Sequence, residues 1–105
     1  MNKYRAIKVQ DDGYTFDSKI EHSRYCELRL LQKAGEIEEL QVHPAFEVRW
    51  PPSNKRICLV ELDFTYRDAK GDWHYEDVKG FDTALSKLKR KLVEAHYGIT
   101  VEVLK

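Results

Sequence analysis

Two alternating segments rich in β-forming residues, Ile57 to Asp68 and Trp73 to Lys79, flank Ala69-Lys70-Gly71, and three residues are enough to close a hairpin. Gly71 stands where such loops need a left-handed residue. The loop constrains the fold because its length decides which side chains face each other. Counting outward, Asp68 lies opposite Asp72, Arg67 opposite Trp73, Thr65 opposite Tyr75, Asp63 opposite Asp77 and Glu61 opposite Lys79. Opposed residues share a face of the ribbon, so Glu61, Asp63, Asp77 and Lys79 are expected to project together, the two Asp Cβ atoms about 4.5–5.5 Å apart. Val60, Leu62, Phe64, Tyr66 and Val78 occupy the other face, which reads as a core face.

Like charges placed directly opposite are destabilising unless something sits between them, and a divalent cation answers that need. Hard cations such as Mg²⁺ take oxygen ligands and keep several waters, so two convergent carboxylates with a substrate phosphate suffice. Lys79 then lies where an ammonium can offset charge developing on a phosphoryl group or orient a water. The register is the weak point. A loop one residue longer or shorter puts Glu76 on the face of Asp63 and turns Asp77 and Lys79 into the core, where unpaired charge is costly. In the three-residue register Glu76 faces away from Asp77 and is expected to be solvated at a sheet edge.

A chain of 105 residues supports one domain with one core, leaving no room for separate catalytic and recognition domains. Eighteen basic residues balance eighteen acidic ones, which excludes a global nucleic-acid signature and leaves a local basic face open. Cys26 and Cys58 are too few and too far apart for a disulfide framework and read as small, buried residues in a reducing compartment. No apolar stretch reaches the length of a membrane span, and Met-Asn-Lys-Tyr-Arg lacks the apolar region of a signal peptide, so the expected location is cytoplasmic.

Residues 1–13 read as a polar arm carrying Lys3, Arg5 and Lys8, ending in the turn Asp11-Asp12-Gly13. A helix is expected from Ser18 to Ala34, with Ser18 as N-cap, Glu21 at the capping-box position, Gly35 as the stop, and Tyr25, Leu28 and Leu31 as its apolar stripe. Extended segments follow at Ile37 to His43 and Ala45 to Trp50, divided by Pro44 and closed by Pro51-Pro52-Ser53-Asn54. After the hairpin, Thr83 to Tyr97 reads as a second helix with Leu85, Leu88, Leu92 and Ala95 on one side. Gly98 stops it, and Ile99 to Leu104 is a last strand. The order implies an α/β or α+β sheet flanked by helices.

Helix, three strands, helix and strand, with an acid on the middle strand of the three and acid-x-Lys on the third, resembles the PD-(D/E)XK, or restriction-endonuclease-like, nuclease fold. Phe16-Asp17-Ser18-Lys19 with Glu21, Asp63-Phe64-Thr65-Tyr66, Glu76-Asp77-Val78-Lys79-Gly80-Phe81 and Lys87-Leu88-Lys89-Arg90-Lys91 are also similar to an uncharacterised family of small phage and prophage proteins usually grouped with these nucleases. The likeness covers nearly the whole chain. It implies an α-β-β-β-α-β core, Asp63, Asp77 and Glu21 as ligands to Mg²⁺ or Mn²⁺, and Lys79 as the catalytic lysine. It also implies a phage-encoded endonuclease acting on DNA in the bacterial host. The Gln-Pro usual after the first strand of that fold is His43-Pro44 here, which leaves open a role for His43.

By analogy with Holliday junction resolvases of this fold, which are small dimers, the expected substrate is branched or flapped DNA and the expected assembly a homodimer. The alternative is a non-catalytic accessory factor that keeps the fold and binds nucleic acid or protein. Neither reading involves a membrane or an organic cofactor. Ser18-x-x-Glu21 is complete as a capping box without any active site. Lys87, Lys89, Arg90 and Lys91 form a solvated face that could equally meet phosphates. His22 and Cys26, four residues apart on the first helix, make half of a zinc site with no matching second pair, so packing is the expected role. His74 and His96 are expected at or near the surface, and Trp50, Trp73, Tyr75 and Phe81 in the core rather than stacked on bases.

Overall fold

The computed structural model describes residues 7–105; Lys3 and Arg5 of the expected arm lie outside the described residues. Val9–Asp11 (β1) and Tyr14–Phe16 (β2) pair as a short hairpin about Asp12-Gly13, so the expected arm is structured from Val9 onward. Its ordering follows from Phe16, which is fully buried against Tyr25 and Leu28 of the first helix. That helix, α1, runs Lys19–Lys33 with Ser18 as N-cap, its Oγ accepting from the Glu21 N–H at 3.2 Å.

The strands β3 (Ile37–Val42), β4 (Ala45–Trp50), β5 (Lys55–Glu61) and β6 (Phe64–Asp68) form one long kinked ribbon. β3 pairs with β6 up to Val42–Phe64, and β4 pairs with β5 from Ala45–Glu61. Between them His43 N–H donates to the Asp63 carbonyl (2.9 Å) and Leu62 N–H to the Pro44 carbonyl (3.0 Å), so the register runs unbroken through the bend. Pro44 has no N–H to give, and His43 takes a φ of +56°, an uncommon conformation for a residue with a side chain. The uninterrupted strand expected over Ile57 to Asp68 is therefore two strands that meet at Leu62-Asp63.

Trp73–Val78 (β7) pairs antiparallel with β6, and Val101–Leu104 (β8) pairs parallel with β7, giving the sheet order β3-β6-β7-β8. The expected hairpin register holds at Arg67–Trp73, Tyr66–His74, Thr65–Tyr75 and Phe64–Glu76. Its loop is Ala69-Lys70-Gly71, with Gly71 at φ +90° and the Asp68 N–H donating to the Asp72 carbonyl at 2.9 Å. The second helix, α2, spans Ala84–Tyr97 between Thr83 as N-cap and left-handed Gly98.

The kink divides the core in two. Phe64 and Tyr66 bury against α1 with Phe16, Tyr25, Leu28 and Ile37, and Val78 packs onto this group. Val60 and Leu62 instead bury against α2 with Val48, Val93 and Val101, and Tyr75 packs here. The single core face expected for Val60 to Val78 is thus shared between two helices, because the bend at Leu62-Asp63 turns the ribbon from one to the other. The result is a mixed α+β fold with one helix on each face of the main sheet. Among the described residues no helix is long and apolar enough to cross a membrane.

α2 is rotated relative to its expected apolar stripe. Leu85, Leu88 and Ala95 are exposed and Leu92 half-buried, whereas Arg90 and Val93 face inward. Ser86, Lys89, Arg90, Val93 and Tyr97 follow helical spacing and form the inner face, with the Tyr97 hydroxyl donating to the Glu47 carbonyl at 2.6 Å. Rotation places a guanidinium, rather than a leucine, beside Asp77 of β7.

Candidate metal centre

Asp63 sits in the kink itself. Past Phe64–Glu76 the hairpin ladder slips by one residue: the Asp63 N–H donates to the Glu76 carbonyl (3.1 Å), and its Oδ2 accepts the Val78 N–H at 2.6 Å. The carboxylate stands in for a missing backbone acceptor and is held on β7 beside Asp77. Asp77, next to last in β7 and only 3% exposed, points towards α2. Its Oδ2 lies 3.5 Å from both Lys79 Nζ and Arg90 Nη1, while its Oδ1 is buried and accepts no hydrogen bond from any described residue.

Glu21 approaches Asp63 from the first turn of α1. Its Oε2 accepts the Asp17 N–H (3.2 Å), one residue before the N-cap that a capping box would serve, and its Oε1 meets His43 Nε2 at 2.7 Å. The left-handed backbone of His43 aims the ring at this carboxylate. Glu21, His43 and Asp63 each offer one ligand atom, and these atoms all lie within 4.8 Å of one another. The sequence leaves His43 open; its place before Pro44, at the kink opposite Asp63, is the signal that could have assigned it.

Electrostatics here are unfavourable to the metal-free chain. Burial, then the charge of Glu21, with Asp77 adding to them, push Asp63 up to about 8, against the Val78 N–H that draws it down. Of the carboxylates here, Asp77 is the one that meets Lys79 and Arg90, and Arg90 is shared. It forks onto Asp82 (2.9 and 2.5 Å), which raises the Arg90 pKa and lowers that of Asp82. The donor set, oxygen-rich with one imidazole and with a buried oxygen left unpartnered, fits a divalent cation.

Lys79 follows β7, its N–H donating to the Leu104 carbonyl at 2.8 Å, and pairs with Asp77 rather than with Glu61. Glu61 is exposed and pairs with Ala45 in the other arm of the ribbon, a consequence of the kink. Both still line a cavity of about 260 Å³ with Asp77, Ser86, Lys89 and Arg90. Of the basic run, Lys87 and Lys91 are exposed and Lys89 lines the cavity. Arg90 is buried and engaged, so it is no free phosphate contact.

Glu76 reverses its expectation altogether. It is fully buried, gripped by Arg24 Nε and Nη2 (2.8 and 2.6 Å) and by the Tyr66 hydroxyl, because β7 is an inner strand and this face is covered by α1. His74 bridges Asp68 (2.7 Å) and Glu102 (2.9 Å), and His96 is exposed beside Tyr97. Tyr75 packs in the α2 core, whereas Trp50, Trp73 and Phe81 are exposed, contrary to expectation.

A family model matches residues 1–103, essentially the entire chain that builds this centre. The chain belongs to the DUF1064 family. That family is described as a protein of unknown function. No curated protein and no solved structure matches the chain.

Proposed function

We propose that this DUF1064 protein is a metal-dependent endonuclease of the PD-(D/E)XK type that hydrolyses DNA phosphodiesters. The observation that carries the reading is the buried Asp77 Oδ1, which accepts no hydrogen bond from any described residue, beside an Asp63 pushed up to about 8 on which Glu21 and His43 converge. Such an arrangement costs stability unless a cation completes it. Counting each kinked strand of the ribbon once, the elements after the first hairpin run α-β-β-β-α-β, the order this reading requires.

Asp63, Asp77 and Glu21 would hold Mg²⁺ or Mn²⁺, and His43 adjoins the set. The bound ion would supply an activated water and neutralise charge on the scissile phosphate. Lys79, held by Asp77, would offset charge building on the phosphoryl oxygens. Arg90 neutralises Asp77 from behind and fixes its direction through Asp82. Lys89, on the cavity wall, and exposed Lys87 and Lys91 would meet the DNA backbone. One centre per chain cuts one strand, so cleavage of both strands, as in branched DNA, calls for a homodimer.

The test is incubation of purified protein with labelled linear, flapped and four-way DNA, with and without Mg²⁺ or Mn²⁺, alongside Asp77→Ala and Lys79→Ala. Metal-dependent cleavage lost in both variants supports the assignment. Cleavage persisting in both would point to a contaminant, and DNA binding without cleavage under any metal would favour a non-catalytic accessory factor. Mg²⁺ or Mn²⁺ should also raise the melting temperature of the wild type and not of Asp63→Ala.

A further inference from the structure

His22 and Cys26 are the half-site that the centre above does not use, and the fold brings them a third donor. The β1–β2 hairpin carries Asp11 onto α1, where its Oδ2 meets His22 Nε2 at 2.9 Å, and His22 Nε2 lies 3.5 Å from Cys26 Sγ. One ligand atom from each residue falls within 4.8 Å of the others. A tetrahedral ion with bonds of about 2.0–2.3 Å holds its ligand atoms roughly 3.3–3.8 Å apart. The Asp11–His22 pair needs to open by only a few tenths of an ångström to admit one, and the His22–Cys26 separation already falls in that range.

We propose that Asp11, His22 and Cys26 form a second cation site that takes Zn²⁺, with solvent at the fourth position, and that clamps the N-terminal hairpin to α1. Charge and ligand type both select this ion. An aspartate, a thiolate and a neutral imidazole sum to two negative charges, and the thiol proton leaves to solvent on coordination. Sulfur and imidazole donors favour Zn²⁺ over Mg²⁺, whereas the carboxylate-rich centre accepts a hard cation. All three residues are half-buried, leaving an open side for water.

The neighbouring arginine is already committed elsewhere. Arg29 Nη1 lies 3.6 Å from Asp11 Oδ2 but 2.6 Å from Asp12 Oδ2, and the Tyr25 hydroxyl donates to the same Asp12 oxygen at 2.7 Å. Asp12 therefore holds Arg29 while Asp11 stays available. The need for a clamp is physical: a hairpin of two three-residue strands is marginal by itself.

The experiment uses the full chain, reduced and metal-free, titrated with Co²⁺ as a spectroscopic substitute for Zn²⁺. The wild type should show a thiolate-to-cobalt charge-transfer band with the visible bands of a tetrahedral ion. Cys26→Ser should abolish the charge-transfer band, His22→Gln should weaken the Co²⁺ binding that this band reports at least tenfold, and Cys58→Ser should leave both unchanged. Zn²⁺ should raise the melting temperature of the wild type and of Asp77→Ala, and not of Cys26→Ser. Absence of the thiolate band in the wild type, its persistence in Cys26→Ser, or its loss in Cys58→Ser would overturn the site. Co²⁺ bands without thiolate character that vanish in Asp63→Ala would also overturn it while supporting the carboxylate centre, so the two assignments fail separately.

Discussion

Glu76 and Asp77 are neighbours on one strand, each a carboxylate almost wholly removed from water, and the fold treats them in opposite ways. Glu76 faces α1, where Arg24 meets both of its oxygens and the Tyr66 hydroxyl adds a third bond. Asp77 faces α2, where Lys79 and Arg90 stand off at 3.5 Å from one oxygen and the other has no hydrogen-bond partner among the described residues. A satisfied buried pair is a structural element. An unsatisfied one beside Asp63, which itself adjoins Glu21, is a site awaiting a ligand. Alternation along β7 alone separates these roles, which is why a one-residue slip of register would exchange them.

The sharpest way to break this contrast is to attack the satisfied side. Arg24→Ala leaves Glu76 buried without its cation and should cost about 3–5 kcal/mol in denaturant unfolding, with no dependence on metal. Arg24→Met combined with Glu76→Leu should recover most of that loss, since an apolar pair of similar size needs no partner. If Arg24→Ala unfolds at the wild-type midpoint, the structural role of Glu76 is wrong.

On the unsatisfied side the large effect is on chemistry. Lys79→Ala and Asp77→Ala should each lower metal-dependent cleavage by about 10²–10³-fold, the range for removing one group that stabilises transition-state charge. Circular dichroism should remain that of the wild type. A variant of Asp77 that loses fold along with activity would return it to the same class as Glu76.

A smaller effect has a sign set by Asp63, the neighbour of Asp77. Asp63 keeps its proton in the folded, metal-free chain up to about 8, whereas in the unfolded chain it loses it near 3.8. The native state thus binds more protons across that window, and its stability falls as pH rises from about 4 to 8. With a chelator present, Asp63→Asn should remove this slope and be more stable than the wild type at pH 8, by roughly 0.5–3 kcal/mol. An unchanged slope would mean that Asp63 is not strained by its neighbours.

The smallest expected effect lies at His74, whose pKa is raised by the Asp68 hydrogen bond first and the Glu102 bond second. That contribution is fully present below the ordinary histidine value of 6.5 and is lost as pH rises through the raised one. Because the bridge is partly exposed, His74→Gln should cost less than about 1 kcal/mol, measured below pH 6. Its disappearance must leave the Asp63 slope intact if the two regions are independent.

The residues that were legible are those governed by near neighbours. Ser18, Thr83, Gly35, Gly71 and Gly98 stop, start and turn the chain through backbone geometry that a few adjacent residues dictate, and the three-residue loop carried the register as far as Phe64–Glu76. What could not be read is which helix covers each stretch of ribbon. Alternation marks an inward side without naming the partner, so it does not separate Val60 and Leu62 from Phe64 and Tyr66, which the kink sends to different cores. For the same reason local pattern favours Leu85 and Leu88 over Arg90 as the inner face of α2 and does not show that α1 covers Glu76.

The sequence by itself therefore determined the hairpin and its register as far as Phe64–Glu76, because turn length and pleat are short-range properties. Tertiary structure alone decided that the kink sets Asp63 beside Asp77, that Glu21 and His43 meet Asp63, that Arg24 neutralises Glu76, and that Asp11 completes His22 and Cys26. Those meetings depend on how α1 and the first hairpin dock on the ribbon, and that docking is selected by burial summed over the whole chain.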